Sequence, residues 1–107
     1  MSMVRYCVAV TLPNEATADR WLAWMRSGHV AEVLAGGALS AEIVRLDGPA
    51  IEFEARYLFP SRAAFDRYER EHAPRLRTEG LRLFPLEHGV RYRRSTGIVT
   101  DLFSNSK

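Results

Sequence analysis

Cysteine occurs once in the 107 residues, at Cys7, and lysine once, at Lys107. A single cysteine excludes an internal disulfide framework and a cysteine metal cluster, and makes a reducing, cytoplasmic location the default expectation. No apolar run approaches the roughly 20 residues that cross a bilayer, so no membrane partner is expected. The stretch from Met1 to Thr11 is apolar but carries Arg5 in its middle, and it lacks the basic segment and small-residue cleavage site of a signal peptide. A net charge of +2 is too small to argue for a nucleic-acid partner. The near-exclusive use of arginine among the cations reads as a compositional habit of the source. Phosphate-binding and nucleophile-elbow patterns are missing, and Gly36-Gly37 follows a helical pattern instead of opening one. Neither H-x-x-x-H nor C-x-x-C occurs, so neither a metal nor a cofactor is expected. Internal repeats and low-complexity segments are also absent.

What is present is a single domain's worth of alternating patterns. A chain this long is one domain with one modest core, here assigned to residues 1–103, with a frayed tail over 104–107. Val4, Tyr6, Val8 and Val10 alternate with Arg5, Cys7, Ala9 and Thr11, a period of two that predicts a strand. Asn14 then suits a helix N-cap, with Glu15 and Asp19 near the positive end of the dipole. Ala18, Trp21, Leu22 and Met25 form one stripe of a helix over 15–27, Gly28 interrupts it, and a further turn runs from Val30 to Ala35 before Gly36-Gly37. Ala38 to Leu46 reads as a strand, Asp47-Gly48 as a hairpin turn, and Ala50 to Phe59 as the next strand. Ser61 caps a second helix whose inner stripe is Phe65, Tyr68, His72, Ala73 and Leu76. Pro74 predicts a break, followed by a helical piece to about Phe84. A last strand starts after Gly89 and includes Val90 to Ser95.

The order is therefore β-α-β-β-α-β, an α+β fold. Right-handed crossovers give a four-stranded antiparallel sheet, order 4-1-3-2, with both helices on one face. One sheet face, with Val4, Tyr6, Val8, Val10, Ile51, Phe53, Tyr57 and Phe59, must lie under the helices. The other carries Arg5, Cys7, Ala9, Glu52, Glu54, Arg56 and Leu58, with Arg91, Arg93 and Ser95 from the last strand. Solvation, association with a second copy, or ligand binding can each account for it. Arg5 beside Glu52 or Glu54 offers opposite charges for an interface. The RNA-recognition fold shares this element order, but it displays aromatics and a glycine on its third strand. Here that strand lacks glycine, its aromatics share the buried parity, and its exposed parity is acidic, which excludes RNA binding.

His29 lies on the Trp21–Met25 stripe, and a histidine facing a cavity there suits acid–base work or ligand hydrogen bonding. His72, on the inner stripe before Pro74, is a second candidate for the same role. Trp21 belongs to the core stripe. Trp24 lies off it and is assigned, with Arg5, Cys7, Glu52 and Glu54, to a dimer interface. Cys7 has no histidine placed beside it by the sequence and reads as inert, and His88 falls in a loop.

The run Trp21-Leu22-Ala23-Trp24-Met25 with His29-Val30-Ala31-Glu32-Val33-Leu34, and the segment from Tyr68 to Arg77, together resemble the two motifs of a small uncharacterised bacterial domain-of-unknown-function family. The match spans Tyr6 to about Ser95 in order and spacing, with Ala31 where that family often has proline. The family resembles the dimeric α+β-barrel superfamily, in which two ferredoxin-like sheets close face to face. The resemblance implies a homodimer. It does not imply one activity, since fold alone does not fix function.

The sequence leaves two functional readings. In one, a small polar or anionic metabolite is bound or transformed in a cavity between sheet and helices, lined by His29, Tyr6, Arg56 and Arg91. In the other, the protein is a non-catalytic dimerisation or interaction module.

Overall fold

A computed structural model describes residues 2–105. Nine residues of alternating burial make strand β1 (Val4–Leu12), and Asn14 ends the turn after it by accepting a hydrogen bond from the Thr17 amide at 2.8 Å. That cap starts helix α1 (Glu15–Trp24). A π turn (Met25–His29) interrupts the α-helical ladder, with Gly28 at φ 175°, ψ −31° and the Val30 amide bonded back five residues to the Met25 carbonyl. Helix α2 (Val30–Ala35) continues the path. Strands β2 (Ser40–Arg45) and β3 (Ile51–Phe59) form the hairpin that Asp47-Gly48 predicts, Gly48 taking the φ of 131° that such a turn needs.

Ser61, almost wholly buried, caps helix α3 (Arg62–Glu71) by accepting from the Ala64 amide at 3.1 Å. The chain leaves helical geometry at His72, where φ is −122°, and helix α4 (Ala73–Leu83) starts with Pro74 in its first turn. Proline has no amide hydrogen to lose there. A short 3₁₀ turn (Leu86–His88), unforeseen from the sequence, leads through Gly89 at φ 88° into β4 (Arg91–Ile98). Ser104 and Asn105 lie in no regular element. The expected fraying extends to residues 106–107, outside the described residues.

The four strands form one antiparallel sheet in the order β2-β3-β1-β4, which is the predicted order read from its other edge. Val4, Val10, Phe53, Tyr57 and Phe59 on its helical face meet Ala18, Trp21, Val33, Phe65, Tyr68 and Leu76 in one buried cluster. Aromatic pairs knit its centre: Trp21 with Phe53 at 5.3 Å, and Phe59 with Phe65 and Tyr68 at 5.2 and 5.1 Å. Among the described residues no helix is long and apolar enough to cross a membrane.

The register corrects one expectation. Arg5 stands opposite Leu58 and Gly97, Glu52 opposite Thr11, and Glu54 opposite Ala9. Arg5 is therefore not beside Glu52 or Glu54. β1 and β3 are joined through helices and β2, so no tight turn between them sets their register.

Candidate functional site

Small residues at the centre of the helical face create a hollow. Val8 is paired with Ala55 on one side and Arg94 on the other, while the flanking positions hold Tyr6, Tyr57 and Tyr92. The large rings hold the helices off the sheet, and the alanine and valine between them leave space. Gly80 on α4 adds to it. The result is a cavity of about 60 Å³, measured as room for the centre of a water molecule. Its walls mix aromatic residues, Tyr6, Tyr57, Tyr68, Trp21 and Trp24 among them, with the aliphatic Val8, Met25, Leu76 and Leu81, and its polar residues include His29, Arg77 and Arg94.

Each wall is placed by its element. Tyr6 and Tyr57 are directly paired on neighbouring strands, with ring centroids 6.0 Å apart and planes 26° apart. Arg77 projects from α4, where its Nη2 donates to Tyr6 Oη at 3.2 Å and to Glu69 Oε2 on α3. The break at His72 lets these two helical pieces share that ion pair. Two buried side-chain polar atoms lack a partner among the described residues: the Tyr57 hydroxyl and Arg77 Nε. Both belong to cavity walls. Burial pushes the phenols of Tyr57 and Tyr68 well above the usual tyrosine range, with neighbouring phenols adding to it. They are neutral hydroxyls at physiological pH.

His29 reaches the cavity from the π turn. Its ring stacks on Trp24, which packs in turn on Phe84 at 5.6 Å. Burial lowers the His29 pKa to about 4, against a smaller upward pull from Glu32.

The sequence-derived residues divide between the two faces. Tyr6 and His29 line the cavity. Arg56 lies on the opposite sheet face, bonded to Glu54 at 2.8 Å and Glu42 at 3.3 Å. Arg91 shares that face's parity, opposite Thr11, and its Nη1 donates to the carbonyls of Leu86 and Val90 at 3.1 and 2.9 Å. It braces the turn into β4. His72 is wedged between the Tyr68 ring and Gly36 and is not a cavity wall. Trp24, expected at an interface, is half-buried in the helical layer and walls the cavity.

The open sheet face carries Arg5, Cys7, Ala9, Glu52, Glu54 and Arg56 as expected. Ala9 is only 4% exposed even so, between Glu54 and Arg93 on its paired strands. Cys7 is half-buried, and burial first and the Glu54 carboxylate second push its thiol up. It is a poor thiolate source at neutral pH. Bonding to Arg56 holds Glu54 below the usual carboxylate range. Among the described residues no group of three or more histidine, cysteine or acidic side chains is placed to hold a metal ion.

Sequence reasoning missed Arg77, Arg94, Tyr57 and Tyr68 as cavity walls. A signal existed for two of them. Arg77 is a charge beside the apolar positions Ala73, Leu76 and Gly80 of one helix, and Arg94 is a charge at the inward parity of its strand.

Three comparisons bear on the chain. A profile described as "Domain of unknown function (DUF4286)" matches residues 3–93. No curated protein matches. Among solved structures, a dimeric ferredoxin-like protein from an uncultured marine organism superposes with a TM-score of 0.73 at 15% identity, covering 96% of this chain and 100% of that one. A second dimeric ferredoxin-like protein from an uncultured marine organism gives 0.68 at 12% identity, with 99% and 95% covered. A variant of SnoaB, a cofactor-independent oxygenase from Streptomyces nogalater, gives 0.66 at 12% identity, with 98% and 100% covered. At these identities the likeness concerns the fold, which is ferredoxin-like.

Proposed function

The chain belongs to the DUF4286 family, a domain of unknown function, and from that premise we propose that it is a homodimeric binding protein for a small polar or anionic metabolite, held in the cavity between sheet and helices. One observation supports the ligand: the two buried polar atoms without a partner, Tyr57 Oη and Arg77 Nε, both belong to residues that wall that cavity. An unmet buried donor costs about 1–3 kcal/mol, and a bound polar group removes that cost. The dimer rests on two neighbours described as dimeric ferredoxin-like proteins. It also suits an open face with small residues at its centre and charges of both signs around them, which a second copy can cover.

Binding is supported over acid–base catalysis by His29. A general base works best with a pKa near the operating pH, and a histidine with a pKa of about 4 holds a proton too weakly. Its neutral ring suits hydrogen bonding to a ligand.

The reading is tested by a thermal-shift screen of small polar and anionic metabolites on the wild type and on Ala55→Leu, which fills the cavity floor. Compounds that stabilise the wild type and not the filled variant support it. A screen without any wild-type response, or with equal responses in both proteins, removes the ligand and leaves a non-catalytic dimer module. Light scattering on the eluted protein tests the dimer separately.

A further inference from the structure

The cavity's charge and shape select among small metabolites. Its walls include two guanidinium groups, Arg77 and Arg94. Glu69 is paired with Arg77. Among the described residues Arg94 has no carboxylate within ion-pair distance, and its guanidinium lies 5.9 Å from the centroid of the Tyr92 ring. No acidic residue lines the cavity. Two positive charges against one negative leave a site that one anionic charge balances.

The unpartnered donors add geometry. Arg77 is held at Tyr6 Oη by a 3.2 Å bond, and Tyr57 is the cross-strand neighbour of Tyr6. The free Tyr57 hydroxyl and the free Arg77 Nε therefore lie in one neighbourhood. A single oxygen accepting from both donors would need them within about 6 Å of each other, twice a normal hydrogen-bond length. A carboxylate relaxes that demand, because its two oxygens can each take one donor. A charged donor also bonds most strongly to an ionised acceptor. The rest of the lining mixes aromatic rings with Val8, Met25, Leu76 and Leu81, an apolar surround that suits a planar apolar body. A cavity of about 60 Å³ holds about four to six water-sized groups, which limits a ligand body to one ring.

We infer that the ligand is an aromatic monocarboxylate, its single ring between the aromatic walls and its carboxylate on Arg77 Nε and Tyr57 Oη. This rests on the binding reading given above. Arg77 is then the specificity-determining residue, and Glu69 and Tyr6 are positioning residues that hold its guanidinium in place.

The test measures affinity by calorimetry for three probes: benzoate, its neutral analogue benzamide, and the non-aromatic cyclohexanecarboxylate. Wild type, Arg77→Gln and Tyr57→Phe are compared, with circular dichroism to confirm that each is folded. Benzoate should bind the wild type most tightly, and either substitution should weaken it by about 10- to 100-fold, as loss of a hydrogen bond to a charged group does. Tyr57→Phe removes one oxygen and keeps the ring, so it decides the matter if Arg77→Gln does not fold. Benzamide or cyclohexanecarboxylate binding as tightly as benzoate, or benzoate binding unchanged by Tyr57→Phe, overturns the inference. Should the metabolite screen give cavity-dependent ligands while benzoate does not bind, the inference fails and the binding reading stands. Should the screen give none, both fail.

Discussion

The Trp24 indole and the His29 imidazole stack with 4.2 Å between centroids and 30° between planes. In an unbroken α-helix, positions five apart point about 140° away from each other. The wider π turn brings them to one side, while His29 keeps the inward stripe of Trp21 and Met25, which line the cavity with it. Turns of this kind recur at functional sites.

The burial of His29 makes stability depend on pH. His29 has a pKa of about 4 in the folded protein against 6.5 for the free group. Above pH 6.5 neither state holds the proton, and the folded protein has its full stability. As the pH falls from 6.5 toward 4, the unfolded chain takes up the proton first and stability is lost. A shift of this size corresponds to about 3 kcal/mol at full linkage, reduced to about 1–2 kcal/mol for a ring that keeps part of its surface in solvent. Urea unfolding at pH 7.5 and 4.5 should show His29→Phe losing less than the wild type by that amount. Equal losses would mean that the imidazole is not desolvated in solution.

Gly36 at the end of α2 is needed for space. A Cβ there would lie 2.9 Å from Tyr68 Cδ1 and 3.1 Å from His72 Cγ. Gly36→Ala should therefore lower stability by about 1–3 kcal/mol, as overpacking does. The thermal midpoint reads this directly, and an unchanged midpoint would show that the Tyr68–His72 stack can yield.

Ser61 caps the buried start of α3 with its side chain, through its bond to the Ala64 amide. Ser61→Ala should cost about 1 kcal/mol, and Ser61→Asp should recover most of it. The denaturant midpoint should move while the slope of the transition stays constant. If aspartate fails to rescue, the hydroxyl acts through packing instead of capping.

These caps, the strand alternation and the Asp47-Gly48 turn were legible because each is written within a few neighbouring residues. So was the break before Pro74. The Arg5 register was not, since β1 meets β3 only after the intervening helices and β2 have packed. Nor was Trp24's place: the stripe over Ala18, Trp21 and Met25 puts it outside, until Gly80 of α4 and Phe84 pack against its ring. The cavity itself depends on Ala55 standing opposite Val8, a pairing between distant strands that no local pattern announces.

Ala9 offers a direct test of the open face as a dimer surface. It is 4% exposed at the centre of that face, between Glu54 and Arg93. Ala9→Arg places a long cation where two copies would meet across a two-fold axis, and like charges brought together there oppose association. Light scattering should show a dimer for the wild type and a monomer for the variant at micromolar concentration, with the circular dichroism unchanged. A variant that remains dimeric would move the interface off this face.

A π turn is one residue more than an α-helix uses, which in a gene is a single inserted codon. Deleting Gly28 would let the α-helical ladder run on, and the residues as far as Ala35 would keep their present facing, because the one extra residue of the turn is the one removed. His29 would then stand four residues from Trp24, on one helix face, and Val33, which is completely buried, would stay on the stripe of Trp21 and Met25. The extra codon therefore changes the shape of the turn and leaves the inner face of the helix on either side of it in place.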